Sequence, residues 1–236
     1  PGLHALLSHN MPWLDLGAGL PDPNQYDCQC ALLSLPLRFL TRLGTIPAPI
    51  PYLRTPPEAA QRWMPRLRQG TELKVGLAWA GNPRHINDLR RSIGIESLAS
   101  PLMMPGVRLF GLQVGPHAGD VLRLPAGAVT DLSPYLTDFV ETAGAVESLD
   151  LVVTVDTSVA HLAGALGKPV WVLLPSVPDW RWLLDREDSP WYPTMRLFRQ
   201  TGNEGWGGVV SRVGAELRAV SGGARERLLP PGRMVR

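Results

Sequence analysis

The sequence predicts an α/β layer domain over residues 70–220, a parallel sheet with helices on both faces. Three observations carry that expectation. Runs such as "KVGLAWA", "VRLFGLQ", "LVVTV" and "PVWVLL" are apolar throughout rather than alternating, as in strands buried on both faces. Segments of helical length separate them. A glycine or a small polar group follows nearly every run, at the strand ends where such sheets bind ligands. Together these define a Rossmann-like fold.

The elements follow in order. Residues 3–9 fit the end of a helix. "WLDLG" and "YDCQCALLSLP" read as short strands or extended segments. "TIPAPIPYLRTPP", residues 45–57, carries proline at 47, 49, 51, 56 and 57. That density excludes helix and central strand and predicts an extended, semi-rigid connector. Residues 58–69 favour a helix that Pro65 interrupts or kinks. From Lys74 the alternation is regular: strand "KVGLAWAG", loop and helix "RSIGIESLASPLMM", strand "VRLFGLQVG", short strand and turn "VTDLSPYL", helix "LTDFVETAGAVESL". Strand "DLVVTVD", helix "TSVAHLAGALG" and strand "KPVWVLLP" complete the series. Residues 221–236, "SGGARERLLPPGRMVR", read as a flexible tail.

Composition bounds the function. The 236 residues are 44% hydrophobic and 19% charged, enough for a real core and against global disorder. A net charge of +2 gives no case for nucleic acid or an acidic membrane. Lysine occurs only at Lys74 and Lys168; the other basic residues are arginine. Cys28 and Cys30 have no second pair to complete a zinc site, and read as buried thiols on one side of an extended segment. So cysteine-poor a chain is expected to be cytoplasmic. No apolar run approaches the ~20 residues of a membrane span. The start lacks the pattern of a secretory signal and lacks a Met, so the chain reads as cut from something longer. No P-loop, GxGxxG, nucleophile elbow or metal cluster occurs, and no metal or cofactor is expected.

The strand ends hold the candidate chemistry: Asn82, Arg84, Arg90, Arg91, Gln113, Asp131, Asp156, Thr157, Ser158 and His161. "DTSVAH" joins a strand to a helix. Asp156 or Thr157 suits an N-cap, which is the bland reading. The same helix end has unpaired N–H groups and a positive dipole, so it suits a phosphate. Thr157 and Ser158 add hydroxyls, and His161 follows Ser158 by one turn on the same face. "GNPRHINDLRRSI" is either a solvated basic loop or a second wall of the same anion site, since arginine gives forked donors for phosphate. In "PSVPDWRWLLDREDSPWYP", Trp191 and Tyr192 read as loop packing; Trp180 could stack on a base or sugar.

These stretches, with "VRLFGLQVG" and "DWRWLLDREDSPWYPTMRLFRQ", resemble the C-terminal glycosyltransferase domain of bacterial TPR-repeat proteins. That domain is similar to glycosyltransferase family 9, the heptosyltransferase-like proteins, and more distantly to O-GlcNAc transferases. The resemblance covers about residues 25–202. It implies a GT-B fold, two facing Rossmann-like domains with the nucleotide sugar held mainly by the second. It further implies that Asp156, Thr157, Ser158 and His161 hold the donor pyrophosphate. Arg91, or Arg90 beside it, would stabilise the phosphates, and Asn82, Arg84 and Gln113 would line the donor side.

Against that pattern the first domain is nearly absent. Residues 1–45 correspond to its last portion, 46–69 to the linker and helix, 70–220 to the nucleotide-sugar domain and 221–236 to the tail. The implied function is hexosyl or heptosyl transfer from a nucleotide-diphosphate sugar to an acceptor hydroxyl, without metal, this chain supplying the donor-binding half. The acceptor would be a protein or glycan, and a TPR region or N-terminal domain a partner. The rival reading is a non-catalytic nucleotide-sugar or partner-binding module. Nucleotide-sugar epimerisation ranks last, because the strand ends offer Arg, Asn and His rather than paired carboxylates.

Overall fold

The computed structural model describes residues 2–17, 19, 22–67, 70–202 and 204–232. The chain opens with helix α1 (His4–Asn10), a short helix α2 (Leu35–Arg38) and helix α3 (Pro57–Leu67). Strand β1 (Leu73–Ala78) is followed by α4 (Asp88–Arg91) and α5 (Ile95–Ala99). Strands β2 (Val107–Gly111) and β3 (Thr130–Asp131) lead to α6 (Phe139–Glu147). Then come β4 (Leu151–Val155), α7 (Ser158–Ala165), β5 (Val170–Leu174), β6 (Met195–Arg199) and α8 (Gly205–Ser221).

The six strands form one sheet in the order β3-β2-β1-β4-β5-β6. Every pairing is parallel. Neighbouring residues of a strand point to opposite faces, and both faces are covered. Val153 and Leu173 pack with Ile95 of α5 and Val213 of α8. Val152 and Val172 pack on the other side with Trp63 of α3, Val146 of α6 and Ala163 of α7. This is why those runs are apolar throughout. The sequence-predicted Rossmann-like fold is the observed one.

The strand order reverses between β1 and β4. At that switch point the carboxyl ends of two neighbouring strands part and leave a crevice. Ala78 pairs Thr154 at the end of the ladder, so the loops after both strands open side by side.

Several expectations change. β6 and α8 were not foreseen. "MRLFR" sets arginines between its apolar residues, and α8 begins among glycines, which blur the helical start. "WLDLG" and "YDCQCALLSLP" form no strand among the described residues; the second gives a 3-10 turn at Leu32–Ser34 and then α2. Cys28 and Cys30 are exposed rather than buried. Leu32, Leu33, Leu37, Phe39 and Leu40 are exposed as well. Pro65 lies inside α3 near its end without stopping it.

The stretch expected to be a loose tail is docked as far as Pro230. Leu228 is buried, and its carbonyl accepts a hydrogen bond from the indole Nε1 of Trp171 at 3.1 Å. Residues 233–236 lie outside the described residues. No helix among the described residues is long and apolar enough to cross a membrane.

Candidate functional site

A cleft of about 610 Å³ occupies the switch point. Its first wall is the seam between β4 and α7. Thr157 takes the N-cap position in extended conformation, yet its side chain caps nothing. Its hydroxyl bonds the Thr154 hydroxyl at 3.0 Å, and Thr154 donates in turn to the Val155 carbonyl. Helix α6 shows the alternative: Asp138 accepts from the N–H groups of Val140 and Glu141 and closes that end. The first turn of α7 is left open instead, and Thr157, Ser158 and Val159 line the cleft.

The second wall is the loop after β1. Gln113, two residues after β2, accepts from the N–H groups of Trp79 and Ala80 at 3.1 and 3.0 Å. Its amide nitrogen donates to the carbonyls of Ala80 and Val114. Gln113 therefore lines the cleft, but its amide is spent on holding the loop's backbone.

Further along, the Gly81 N–H donates to Ser92 Oγ at 3.0 Å, and Ser92 Oγ donates to the buried Asp88 carboxylate at 3.0 Å. The Arg91 guanidinium packs against the same carboxylate oxygen, 3.5 Å away. Gly81 lets these side chains approach, because a Cβ there would lie 2.5 Å from both Arg91 and Asp88 and one of them would have to shift. Asn82 faces the cleft and accepts from the Arg84 N–H at 3.0 Å. Arg84 itself is exposed and does not line the cleft, so the turn that Asn82 makes carries it outward. Arg90 lines a narrower recess of about 130 Å³ that shares Arg91 and Asp156 with the cleft. Asp131 binds the N–H and hydroxyl of Ser133 and shapes a turn elsewhere.

The third wall was missed in the sequence. Asp179 accepts from the backbone N–H and the guanidinium of Arg181, both at 3.0 Å, and both residues line the cleft. Arg181 lies over the Trp180 ring, 4.5 Å from its centroid. Trp182 is buried and stacks on His161. Tyr192, read as loop packing, places its hydroxyl 3.1 Å from His161 Nδ1. The aromatic density of residues 180–192 was the available signal; which rings turn inward depends on tertiary packing. Leu183 holds a positive φ of 55° just after this turn. The Arg199 guanidinium, bonded to the carbonyls of Trp182, Leu183 and Arg186, keeps it there.

The electrostatics are mixed. Burial lowers the His161 pKa; Asp156 and Asp179 oppose this and Arg181 adds to it. His161 is therefore neutral at pH 7, with one donor nitrogen and one acceptor. Its Nε2 lies 4.0 Å from Asp156 Oδ1. Burial raises the Asp179 pKa, but bonds from the Arg181 N–H and guanidinium outweigh that and hold it below the usual carboxylate range. The cleft thus gathers Asn82, Arg91, Gln113, Asp156, Thr157, Ser158 and His161 of the sequence candidates, and adds Asp179 and Arg181.

Fold and cleft define a doubly wound α/β domain with a crevice at its switch point into which polar side chains converge. The same fold occurs in the ADP-heptose lipopolysaccharide heptosyltransferase II of Escherichia coli, with a TM-score of 0.52 and 16% identity over 72% of this chain. A glycosyl transferase family 9 protein of Veillonella parvula gives 0.52 and 13% over 75%. The chain spans 53% of each of those structures. Among curated proteins, Protein FlbA of Caulobacter vibrioides is 29% identical over 178 residues, 71% of this chain and 29% of FlbA. No protein-family model matches the sequence.

Proposed function

We propose that this chain is the donor-binding domain of a glycosyltransferase that moves a hexosyl or heptosyl group from a nucleotide-diphosphate sugar to an acceptor hydroxyl. The observation that carries the reading is the uncapped first turn of α7, open to the cleft that Arg91 and His161 also reach. A volume of about 610 Å³ lies within the range of small-molecule sites.

As the sugar leaves, negative charge grows on the departing diphosphate. The N–H groups at Ser158 and Val159, the guanidinium of Arg91 and a proton on His161 would stabilise it in place. Arg181 could turn from Asp179 to the same phosphates. No metal is needed for that balance. Asp156 is a carboxylate and repels phosphate, so its part would be to accept hydrogen bonds from hydroxyls of the transferred sugar. The base that activates the acceptor, and the acceptor site for a protein or glycan, would come from a second domain. A TPR region is a further partner of this reading.

A non-catalytic nucleotide-sugar or partner-binding module is the alternative; the chain spans about half of the solved structures it resembles. Calorimetric titration with UDP, GDP, ADP and CMP tests the site. Saturable binding of one nucleotide, lost in His161→Ala and weakened in Arg91→Ala, is expected. Absence of binding for all four would overturn the site. Turnover of the matching nucleotide sugar with a candidate acceptor then separates transferase from binding module.

A further inference from the structure

We propose that Tyr52, in the proline-rich connector, acts through Tyr192 as a positioning residue that fixes His161 in the Nε2–H form. This rests on the proposed anion site and goes beyond it by assigning two residues outside the cleft lining to its control.

The connector is stitched to the far end of α7. The N–H groups of Tyr52 and Leu53 both donate to the Ala165 carbonyl, at 3.0 and 3.2 Å. Ala165 lies one helical turn after His161. Leu53 is buried with Leu6, Leu162 and Ala165. Asn10 accepts from the Arg54 N–H at 2.7 Å and donates to the Arg54 carbonyl at 3.0 Å. Pro51 rests 3.6 Å from the position a Cβ of Gly167 would take. Tyr52 is half exposed, so core packing does not explain where its hydroxyl points. That hydroxyl donates to the Tyr192 hydroxyl at 3.4 Å.

A phenol has one proton. Once the Tyr192 oxygen accepts from Tyr52, its own proton has His161 Nδ1, 3.1 Å away, as its partner. Nδ1 is then the acceptor, and a neutral imidazole carries its proton on Nε2. Nε2 is the nitrogen on the side of Asp156. A donor to an anion at the mouth of α7 is what that tautomer supplies; the opposite tautomer would turn a lone pair toward it. Gly164 makes the geometry possible, since a Cβ there would lie 2.5 Å from the Tyr192 ring. The charged groups facing the imidazole are Asp156, Asp179 and Arg181, which remain the same in either tautomer. At 3.4 Å the tyrosine pair is long for an O–H···O bond, so a small shift of the connector makes or breaks it.

The test is two-bond ¹H–¹⁵N spectroscopy of the full chain labelled in its histidine rings, with His161 assigned by His161→Gln. The expected wild-type spectrum shows the Nε2–H form. Tyr52→Phe should lower its share, and Tyr192→Phe should remove the preference, with the thermal midpoint of Tyr52→Phe unchanged. In calorimetry with ADP and UDP, Tyr52→Phe should weaken the nucleotide that binds by roughly two- to tenfold, the range that one net hydrogen bond gives. A wild-type Nδ1–H form, or a His161 spectrum identical in Tyr52→Phe, overturns the relay. The spectra decide the relay whether or not a nucleotide binds. Failure of all four nucleotides, UDP, GDP, ADP and CMP, to bind wild type sinks the anion-site reading instead.

Discussion

Trp182 lies flat on His161, with ring centroids 5.2 Å apart and planes 19° apart. One face of the imidazole is thereby covered, Nδ1 is bonded to Tyr192 and Nε2 is turned to Asp156. The stacking and the Tyr192 bond hold the ring in place before a ligand arrives.

Trp182 is 1% exposed, so Trp182→Ala should lower stability by about 3–5 kcal/mol, as for other buried large-to-small changes. Its indole nitrogen has no partner among the described residues. Trp182→Phe should therefore cost well under half of that, because no hydrogen bond is lost. Urea unfolding of both variants checks the ordering; equal losses would contradict it.

Acid should weaken the fold before most carboxylates titrate. His161 has its pKa lowered from 6.5 in the folded chain by burial. Below pH 6.5 the unfolded chain therefore binds a proton that the folded chain does not. The stability that this group contributes is full above 6.5 and is lost as pH falls through the lower folded value. His161→Gln should flatten the slope just below pH 6.5. Glu204, held to about 2 by the Arg212 guanidinium and the Thr201 N–H, titrates far below that window. Unfolding free energies from pH 5 to 7.5, with the same slope in both proteins, would remove the assignment.

Gly81→Ala should push Arg91 away from Asp88, because the added Cβ meets both. The expected result is a weaker hold on a nucleoside diphosphate by about tenfold, ~1.4 kcal/mol, with the sheet intact. Calorimetry alongside Arg91→Ala measures it. Full affinity in Gly81→Ala would mean that the position of Arg91 is unimportant.

Asp156→Asn separates phosphate from sugar recognition. Removing the charge should leave nucleoside diphosphate affinity equal or higher, while affinity for the nucleotide sugar falls. Competitive displacement with the two ligands gives the ratio. Parallel loss for both would place Asp156 on the ribose they share instead of on the transferred sugar.

The sheet was legible because its strands carry the burial pattern on their faces. Val152 and Val153 are both buried, on opposite sides, and the one polar residue of the run, Thr154, is buried too. β6 was hidden because Arg196 and Arg199 stand in it; their guanidiniums are led away to Glu216 and to loop carbonyls. "DTSVAH" could be read because a strand, a polar seam and a helix follow one another in the chain. The capping reading of Thr157 was equally open in the sequence; only the position of Thr154 decides where the hydroxyl goes. Tyr192 and Trp182 could not be read. They lie 31 and 21 positions from His161, and their approach depends on how the 175–193 loop folds back. Arg84 was expected to line the donor side beside Arg91, but only Arg91 has a buried carboxylate to hold it.

Helix α7 has 8 residues and is about 12 Å long at 1.5 Å per residue. One end opens on the cleft and the other takes two connector amides on a single carbonyl. In a saturation scan scored for ligand capture, positions 51–54 should therefore segregate with the cleft residues. Their phenotype would be a shifted dose–response curve rather than a drop in soluble yield. Proline-rich as it is, the connector would register in such data as part of the receptor rather than as its tether.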